Sequence, residues 1–378
     1  MVGHASAGKT LLSEALLVCG GGLNRLGSVA HGTTVADYHD NERERKISIQ
    51  TSLLHLDWQG RKLNLMDCPG SLDFITEALG ALRVADVAVV VVDARDGVGV
   101  GTLQVWDWAT QFALPKILVV NGLDQENVDG EQVLAQLRQS FGERVLPLSV
   151  ALNPGPGLTQ VLDVPRQAVL TYAADRSGKF TEAAASGAAA EQARAGHEKL
   201  VESVAEADDA LMEKFFEQGT LSEAEWRGGL RRALQQQTLI PVFATSAEKN
   251  VGVAQVLEFL AQYAPSPADR PAVPAQDAQG TEGTLELTSP DPVLYVFKTL
   301  SEAKFGEVSF FRVYAGTLTV GIELNNPGRR ATEKLGQIYV LNGQTRTPVE
   351  TLCAGDLGAT VKLKDTRTGD TLCGGKTV

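Results

Sequence analysis

The chain has 378 residues, and a typical domain of about 150 residues makes that roughly two to three domains. Its 34 Lys and Arg against 46 Asp and Glu leave a formal charge of −12, which excludes a protein that coats nucleic acid by charge alone but not a local contact with a large RNA machine. The composition, 43% hydrophobic and 21% charged, is that of an ordinary globular chain, and apolar runs such as Val87–Val92 stop far short of the roughly 20 residues that cross a bilayer.

The first residues lack the apolar stretch of a signal peptide. Cys19, Cys68, Cys353 and Cys373 form no CxxC pair, and the five histidines are dispersed, so neither a disulfide framework nor a His-rich metal site is expected. A reducing, cytoplasmic setting fits best.

In chain order, helical patterns are expected near 9–18, 72–84, 101–112, 131–141, 196–217, 222–236 and 252–262. Between them, Leu63–Met66, Val87–Val92, Ile117–Val120 and Leu239–Ala244 read as buried strands. Such alternation predicts an α/β fold, a mostly parallel sheet with helices on both faces. The Ala-rich stretch 182–195 either begins a helix or forms a mobile surface segment, and composition does not choose. From Pro265 to Pro292 there are six prolines, which hold the backbone extended and mark a linker. Beyond it the period becomes twofold, as in Val293, Tyr295 and Phe297 and again in Val308 and Phe310. Turn signals follow at Gly316, Asn325–Gly328, Asn342–Gly343 and Gly355–Asp356, so an antiparallel β-barrel is expected near 288–378.

Four short motifs carry the chemistry. Gly3-His4-Ala5-Ser6-Ala7-Gly8-Lys9-Thr10 matches the phosphate-binding loop, in which backbone N–H groups turn around phosphate oxygens. Lys9 would reach the β- and γ-phosphates and the Thr10 hydroxyl would ligate Mg²⁺. A strand should precede such a loop, and only Met1 and Val2 do so here. Asp67-Cys68-Pro69-Gly70 ends the next strand: Asp67 can hold Mg²⁺ through water and the Gly70 N–H can meet a γ-phosphate. Asn121-Gly122-Leu123-Asp124 follows a further strand, where Asp124 can accept two hydrogen bonds from a guanine edge that adenine does not offer. Ser246-Ala247 follows the last strand, where a backbone N–H can face the purine oxygen. The phosphate loop stands well above its bland reading as a glycine-rich helix start; the other motifs alone read as strand-to-loop turns, but all four in this order at strand ends do not.

With these residues in place the sequence resembles the translational GTPases, and within them elongation factor G and its elongation-factor-G-like paralogues. Glu42-Arg43-Glu44-Arg45-Lys46-Ile47-Ser48-Ile49 looks like the family's first switch, and by that similarity Ser48 replaces the Thr whose hydroxyl completes the Mg²⁺ shell around a triphosphate. Without the resemblance, this charge run reads as a solvated loop. The stretch between Asp124 and Ser246 is similar to the subdomain that elongation factor G inserts there, His197–Ser203 through Leu211–Phe215 looking like its helix. Phe310–Gly316 and Gly369–Cys373 look like the family's second, barrel domain. The resemblance implies a GTP-binding domain over 1–265 with an inserted subdomain at about 146–236, a linker over 266–287 and a barrel over 288–378. It also implies GTP as substrate, Mg²⁺ as cofactor and the ribosome as partner, with neither a membrane nor sequence-specific DNA.

Three departures qualify the resemblance. Ser71 stands where the family usually has the His that orients the attacking water, and its shorter hydroxyl implies slow or differently stimulated hydrolysis. Gly122 stands for a Lys whose stem lies along the base, a loss of about 1–2 kcal/mol, or roughly tenfold in affinity. Lys46 stands for a Gly, which implies a stiffer switch. Catalytic roles therefore fall on Lys9, Gly70 and Ser71, and metal-binding roles on Thr10, Ser48 and Asp67. The family's further domains are absent from these 378 residues, so a two-domain portion or a truncated member is expected. The alternatives are a non-hydrolysing GTP-binding switch and a ribosomal-protection factor.

Overall fold

Four consecutive valines, Val89–Val92, are all buried, and a strand covered on both faces belongs inside a parallel sheet. The computed structural model, which describes residues 1–276, 280–302 and 306–375, places them there. Contact density divides the chain into two units, Met1–Ser52 with Leu56–Pro265, and Leu53–His55 with Ser266–Val378.

In the first unit, helix α1 (Lys9–Cys19) and the short α2 (Asp40–Arg45) precede strands β1 (Ser52–Trp58) and β2 (Arg61–Asp67). These two strands pair across Gln59–Gly60, both at positive φ as a two-residue hairpin turn requires. Then come α3 (Thr76–Val84), β3 (Ala88–Asp93), α4 (Val100–Gln111), β4 (Lys116–Asn121), α5 (Gly130–Phe141) and β5 (Val145–Pro147). Between β5 and the returning strand the chain builds four short strands, β6 (Ser149–Ala151), β7 (Gln160–Asp163), β8 (Ala168–Tyr172) and β9 (Phe180–Ala184). Helices α6 (Gly187–Ala205), α7 (Asp209–Gln218) and α8 (Glu223–Gln236) follow, then β10 (Ile240–Ala244) and α9 (Val253–Tyr263). The main sheet runs β3-β4-β10-β5, with β3 parallel to β4 and β10 parallel to both β4 and β5.

Met1 and Val2 occupy the slot between β2 and β3. Val2 bridges Val90 in parallel, donating to Val89 O at 2.9 Å and accepting from Val91 N at 2.8 Å. On the other side the Met1 nitrogen donates to Met66 O at 2.7 Å and Met1 O accepts from Cys68 N. Met1 and Val2 thus give the phosphate loop a strand-like entry.

One expectation changes, one open reading is resolved and one sheet is new. The helical pattern at 196–217 is two helices, broken at Ala207–Asp208, where the Asp208 carboxylate caps α7 by accepting from Ala210 N and Leu211 N. The Ala-rich stretch divides between the end of β9 and the start of α6. The antiparallel sheet β6-β7-β8-β9 had no sequence signal, its strands being three to five residues long and β9 mostly exposed.

The proline-rich segment is extended, yet it pairs with itself: β11 (Val273–Gln276) and β12 (Glu282–Leu285) form an antiparallel ribbon. Pro274 fits there because every strand of a two-stranded ribbon is an edge. The rest of the second unit comprises β13 (Val293–Glu302), β14 (Gly306–Ala315), β15 (Thr317–Thr319), β16 (Glu323–Asn326), β17 (Ala331–Lys334), β18 (Ile338–Asn342), β19 (Thr345–Val349), β20 (Thr351–Cys353), β21 (Leu357–Val361) and β22 (Thr371–Cys373). Its large barrel-like sheet is ordered β17-β16-β22-β13-β14-β21-β18-β19, and the pairings along it are antiparallel. Register shifts at Val293/Leu294 and Val296/Lys298 break the alternation read from the sequence. Leu294 and Val296 therefore face the core with Phe311, Val313, Leu318 and Leu372, while Tyr295 is half-buried against Tyr314.

One buried charge makes a testable contribution. Lys116 at the start of β4 is 2% exposed, donates to Gln237 Oε1 at 2.6 Å, and lies 5.1 Å from the Trp106 ring. Burial, reinforced by Arg144, pulls its pKa from 10.5 down to about 8. Between about pH 8 and 10.5 the folded chain binds fewer protons here than the unfolded chain, so stability rises with pH through that window. Lys116→Met should flatten this rise and stabilise the protein by about 1–3 kcal/mol at pH 7, read by urea unfolding across pH 7–10.5.

Candidate functional site

The four motifs come together at one end of the parallel sheet. Gly3 passes so close to β3 that a Cβ there would lie 2.2 Å from Val91 O, so only glycine fits. The loop turns through Ser6 at φ 62° and Gly8 at φ 81° into α1. The first turn of α1 carries no acidic residue, leaving its partial positive charge uncompensated. His4 packs against Gly99 and Gly101 at the start of α4, and its Nδ1 accepts from Gly101 N. The Lys9 ammonium, buried, donates to His4 O at 2.7 Å, and Gly70 sits so near that a Cβ there would meet Lys9 Nζ at 2.1 Å.

In the first turn of α1, Thr10 Oγ1 donates to Asp67 Oδ2 at 2.7 Å and lies 3.0 Å from Ser48 Oγ. The three residues expected to bind metal are therefore gathered around one hydroxyl. Asp67 is 1% exposed, and its Oδ1 has no hydrogen-bond partner; the nearby Ser13 hydroxyl does not reach hydrogen-bond geometry. Burial pushes the Asp67 carboxyl above its usual range, opposed by the Thr10 hydrogen bond. Burial also pulls the Lys9 ammonium below its usual value, with Asp67 opposing. A buried carboxylate oxygen without a donor calls for a cation, and a buried ammonium beside a bare helix N-terminus calls for an anion. The hydroxyls of Thr10 and Ser48 and the Asp67 carboxylate are hard oxygen donors of the kind that would hold Mg²⁺.

Asn121 at the end of β4 joins the base-side loops. Its Nδ2 donates to Ala7 O at 3.1 Å, while its Oδ1 accepts from Ala247 N at 2.8 Å and Thr245 Oγ1 at 3.2 Å. The backbone N–H expected to face a purine is therefore engaged within the protein: Ser246 N donates to Val251 O and Ala247 N to Asn121. The side-chain acceptor at Asn121 competes for that donor, which a reading of turn sequences alone does not reveal. Leu123 N donates to Thr245 O, holding the 121–124 turn against the 245–247 turn, and Asp124 is half-buried there. Gly122 has φ 84°, and a Cβ on it would lie 2.5 Å from Gln125 Nε2. Ser71 is half-buried in the turn after Gly70, followed by the exposed Leu72.

The structure adds three acids that the sequence reading missed. Glu14 of α1, 1% exposed, accepts from Gly27 N and Val35 N. Asp37, 5% exposed, is pushed up to about 7 by burial and the neighbouring Asp67, with a Ser48 hydrogen bond opposing. Glu42, fully buried, accepts from three backbone N–H groups at residues 39, 49 and 50. Glu14 alone had a signal, a charge within the buried run Leu12–Leu17 of a helix. Glu42 was hidden in a run of charges whose other members, Arg43, Glu44, Arg45 and Lys46, are exposed.

A parallel sheet bearing a phosphate loop, followed by an antiparallel barrel, defines a P-loop GTPase domain joined to a translation-factor second domain. The chain belongs to the translational GTPases: residues 1–266 match the family described as elongation factor Tu GTP binding domain, and residues 292–375 match elongation factor G domain 2. It is similar to the crystal structure of a protein from Thermus thermophilus, with 30% identity and a TM-score of 0.88 over 99% of this chain. That match covers 53% of the other chain, so the present chain spans about half of its length.

Lys46 closes α2 in the left-handed conformation at φ 56°, ψ 36°, a conformation that favours glycine. A lysine in this conformation stores strain as well as stiffening the segment. Lys46→Gly should relieve it, raising stability by up to about 1 kcal/mol in denaturant unfolding. It should also leave the 40–50 segment more open to protease, since Gly is the more mobile residue.

Proposed function

We propose that this chain binds GTP with Mg²⁺ and hydrolyses it slowly to GDP and phosphate, as the nucleotide-binding portion of a factor acting on the ribosome in elongation or a related step. The observation that carries this reading is the pairing of a buried ammonium, Lys9, with an orphaned carboxylate oxygen, Asp67 Oδ1, at the start of one helix. A metal–triphosphate answers both at once. Gly3–Thr10 wrap the phosphates, Lys9 neutralises them, and Thr10, Ser48 and Asp67 hold the metal, directly or through water. When bound, Mg²⁺ supplies charge neutralisation for the developing phosphate negative charge. Gly70 offers its N–H to the terminal phosphate. Asp124 accepts from the guanine edge, and Asn121, Ser246 and Ala247 shape the pocket around it.

Guanine selectivity follows from Asp124, because an unpaired carboxylate against adenine costs the wrong base its binding. Isothermal titration with Mg²⁺ should give GTP and GDP affinities at least about a hundredfold above ATP, and Lys9→Ala should abolish triphosphate binding. ATP bound as tightly as GTP would refute the reading.

A ribosomal partner and a cytoplasmic setting accompany this reading through family membership. Among the described residues no helix is long and apolar enough to cross a membrane. Ser71 favours one second reading, a GTP-binding switch that scarcely hydrolyses. Its hydroxyl polarises an attacking water less well than an imidazole. Single-turnover phosphate release with ribosomes separates the two: Ser71→His should accelerate it by about 10²-fold or more. Equal rates for both forms would show that position 71 does not limit hydrolysis.

A further inference from the structure

The segment between α1 and β1 has little regular structure, yet the backbone on both sides of Ser48 is held by buried carboxylates. Glu42 is fully buried, and its Oε1 accepts from Ile49 N at 2.9 Å and Gln50 N at 3.0 Å. Its Oε2 accepts from His39 N at 3.2 Å, closing the start of α2. The next residue along, Thr51, donates its N–H to Glu77 Oε2 of α3 at 2.8 Å. Upstream, Glu14 of α1 accepts from Val35 N at 2.6 Å. Ser48 therefore lies between a left-handed turn at Lys46 and two backbone amides clamped by one carboxylate oxygen.

We propose that Glu42 is a positioning residue: its carboxylate fixes the backbone at Ile49 and Gln50, and so delivers the Ser48 hydroxyl to Thr10 and Asp67. The proposal rests on the reading of Ser48 as a metal-shell hydroxyl for the triphosphate. The chemistry calls for a carboxylate, not merely a polar group. An ionised carboxylate only accepts, and its two oxygens serve three N–H donors converging from two directions. A glutamine would retain one acceptor oxygen, but its NH₂ would then oppose a donor, His39 N–H, on one side or the amides of 49 and 50 on the other. The neighbours Arg43, Glu44 and Arg45 are exposed, while Glu42 is buried, and its hydrogen bonds reach the site through the backbone at residues 39, 49 and 50. Its effect should therefore fall on the ligand that uses Ser48, sparing a diphosphate held by Gly3–Thr10.

The test compares wild type, Glu42→Ala, Glu42→Gln, Ser48→Ala and the Glu42→Ala/Ser48→Ala pair. Binding of Mg²⁺ with GDP and with a β,γ-imido GTP analogue is measured, together with amide hydrogen exchange at Ile49 and Gln50. Glu42→Ala should weaken the GTP analogue about tenfold or more while changing GDP affinity less than about twofold. The double variant should bind no more weakly than Ser48→Ala, because both changes remove the same hydroxyl from the site. Glu42→Gln should fall between wild type and Glu42→Ala, and it carries the comparison if the alanine form does not fold. Equal losses for both nucleotides, or additive losses in the double variant, would overturn the proposal. Unchanged protection of the Ile49 and Gln50 amides in Glu42→Ala would overturn it without any nucleotide. A wild-type chain with protected amides but no affinity for either guanine nucleotide would instead overturn the functional reading, and with it the delivery of Ser48 to a triphosphate.

Discussion

The side-chain amide of Asn121 is the junction on which the site depends. Through one acceptor and one donor it ties the phosphate loop at Ala7 to the turn after β10 at Thr245 and Ala247, from its own place at the end of β4. Three loops that leave different strands are thereby fixed relative to one another before any ligand contributes. An aspartate could accept but not donate, and a leucine could do neither, so the geometry requires a carboxamide. The cost of this arrangement is that the Ala247 N–H is not free for a base. The pocket is organised from within, and a purine must fit what Asn121 has set.

Around that junction the first unit separates two kinds of buried charge. Lys9, a buried ammonium whose one hydrogen bond goes to a backbone carbonyl, and Asp67, with one oxygen unpartnered, both lie against the start of α1. Glu14 and Glu42 are, by contrast, partnered by backbone N–H groups and shape the segment that carries Ser48. The distinction is physical: an acid that meets amides organises the chain, while one with an open lone pair awaits a ligand. Asp37 lies between the two, close to Asp67 yet hydrogen-bonded with Ser48, and burial pushes its carboxyl up to about 7.

The parallel core was legible because its signal is redundant. Val87–Val92 and Ile117–Val120 are uniform apolar runs, and the helices between them keep a clear amphipathic period, so α4, α5, α8 and α9 differ from expectation by a residue or so. The turns at Gly3–Gly8 were legible too, since close approach at Gly3 and positive φ at Gly8 demand glycine. What was not legible depends on contacts distant in sequence. The β6–β9 sheet has strands too short to show a period, and in β13 the register shifts put Leu294 and Val296 inside where simple alternation placed Tyr295. Glu42 reads as one more charge in a charged run until the fold brings the amides of residues 49 and 50 to it.

The edges of the second unit's large sheet have a consequence for the protein in concentrated solution. One edge is β19, where Pro348 offers no amide to an incoming strand, and the other is β17, which presents the exposed Lys334. Glu333 of β17 turns inward instead, its carboxylate accepting from Lys364 N and Asp365 N. Neither edge is a flat apolar template, so the sheet resists growing by edge-to-edge pairing with a second copy. Together with a net charge of −12, which makes copies repel, these edges disfavour self-association at high concentration.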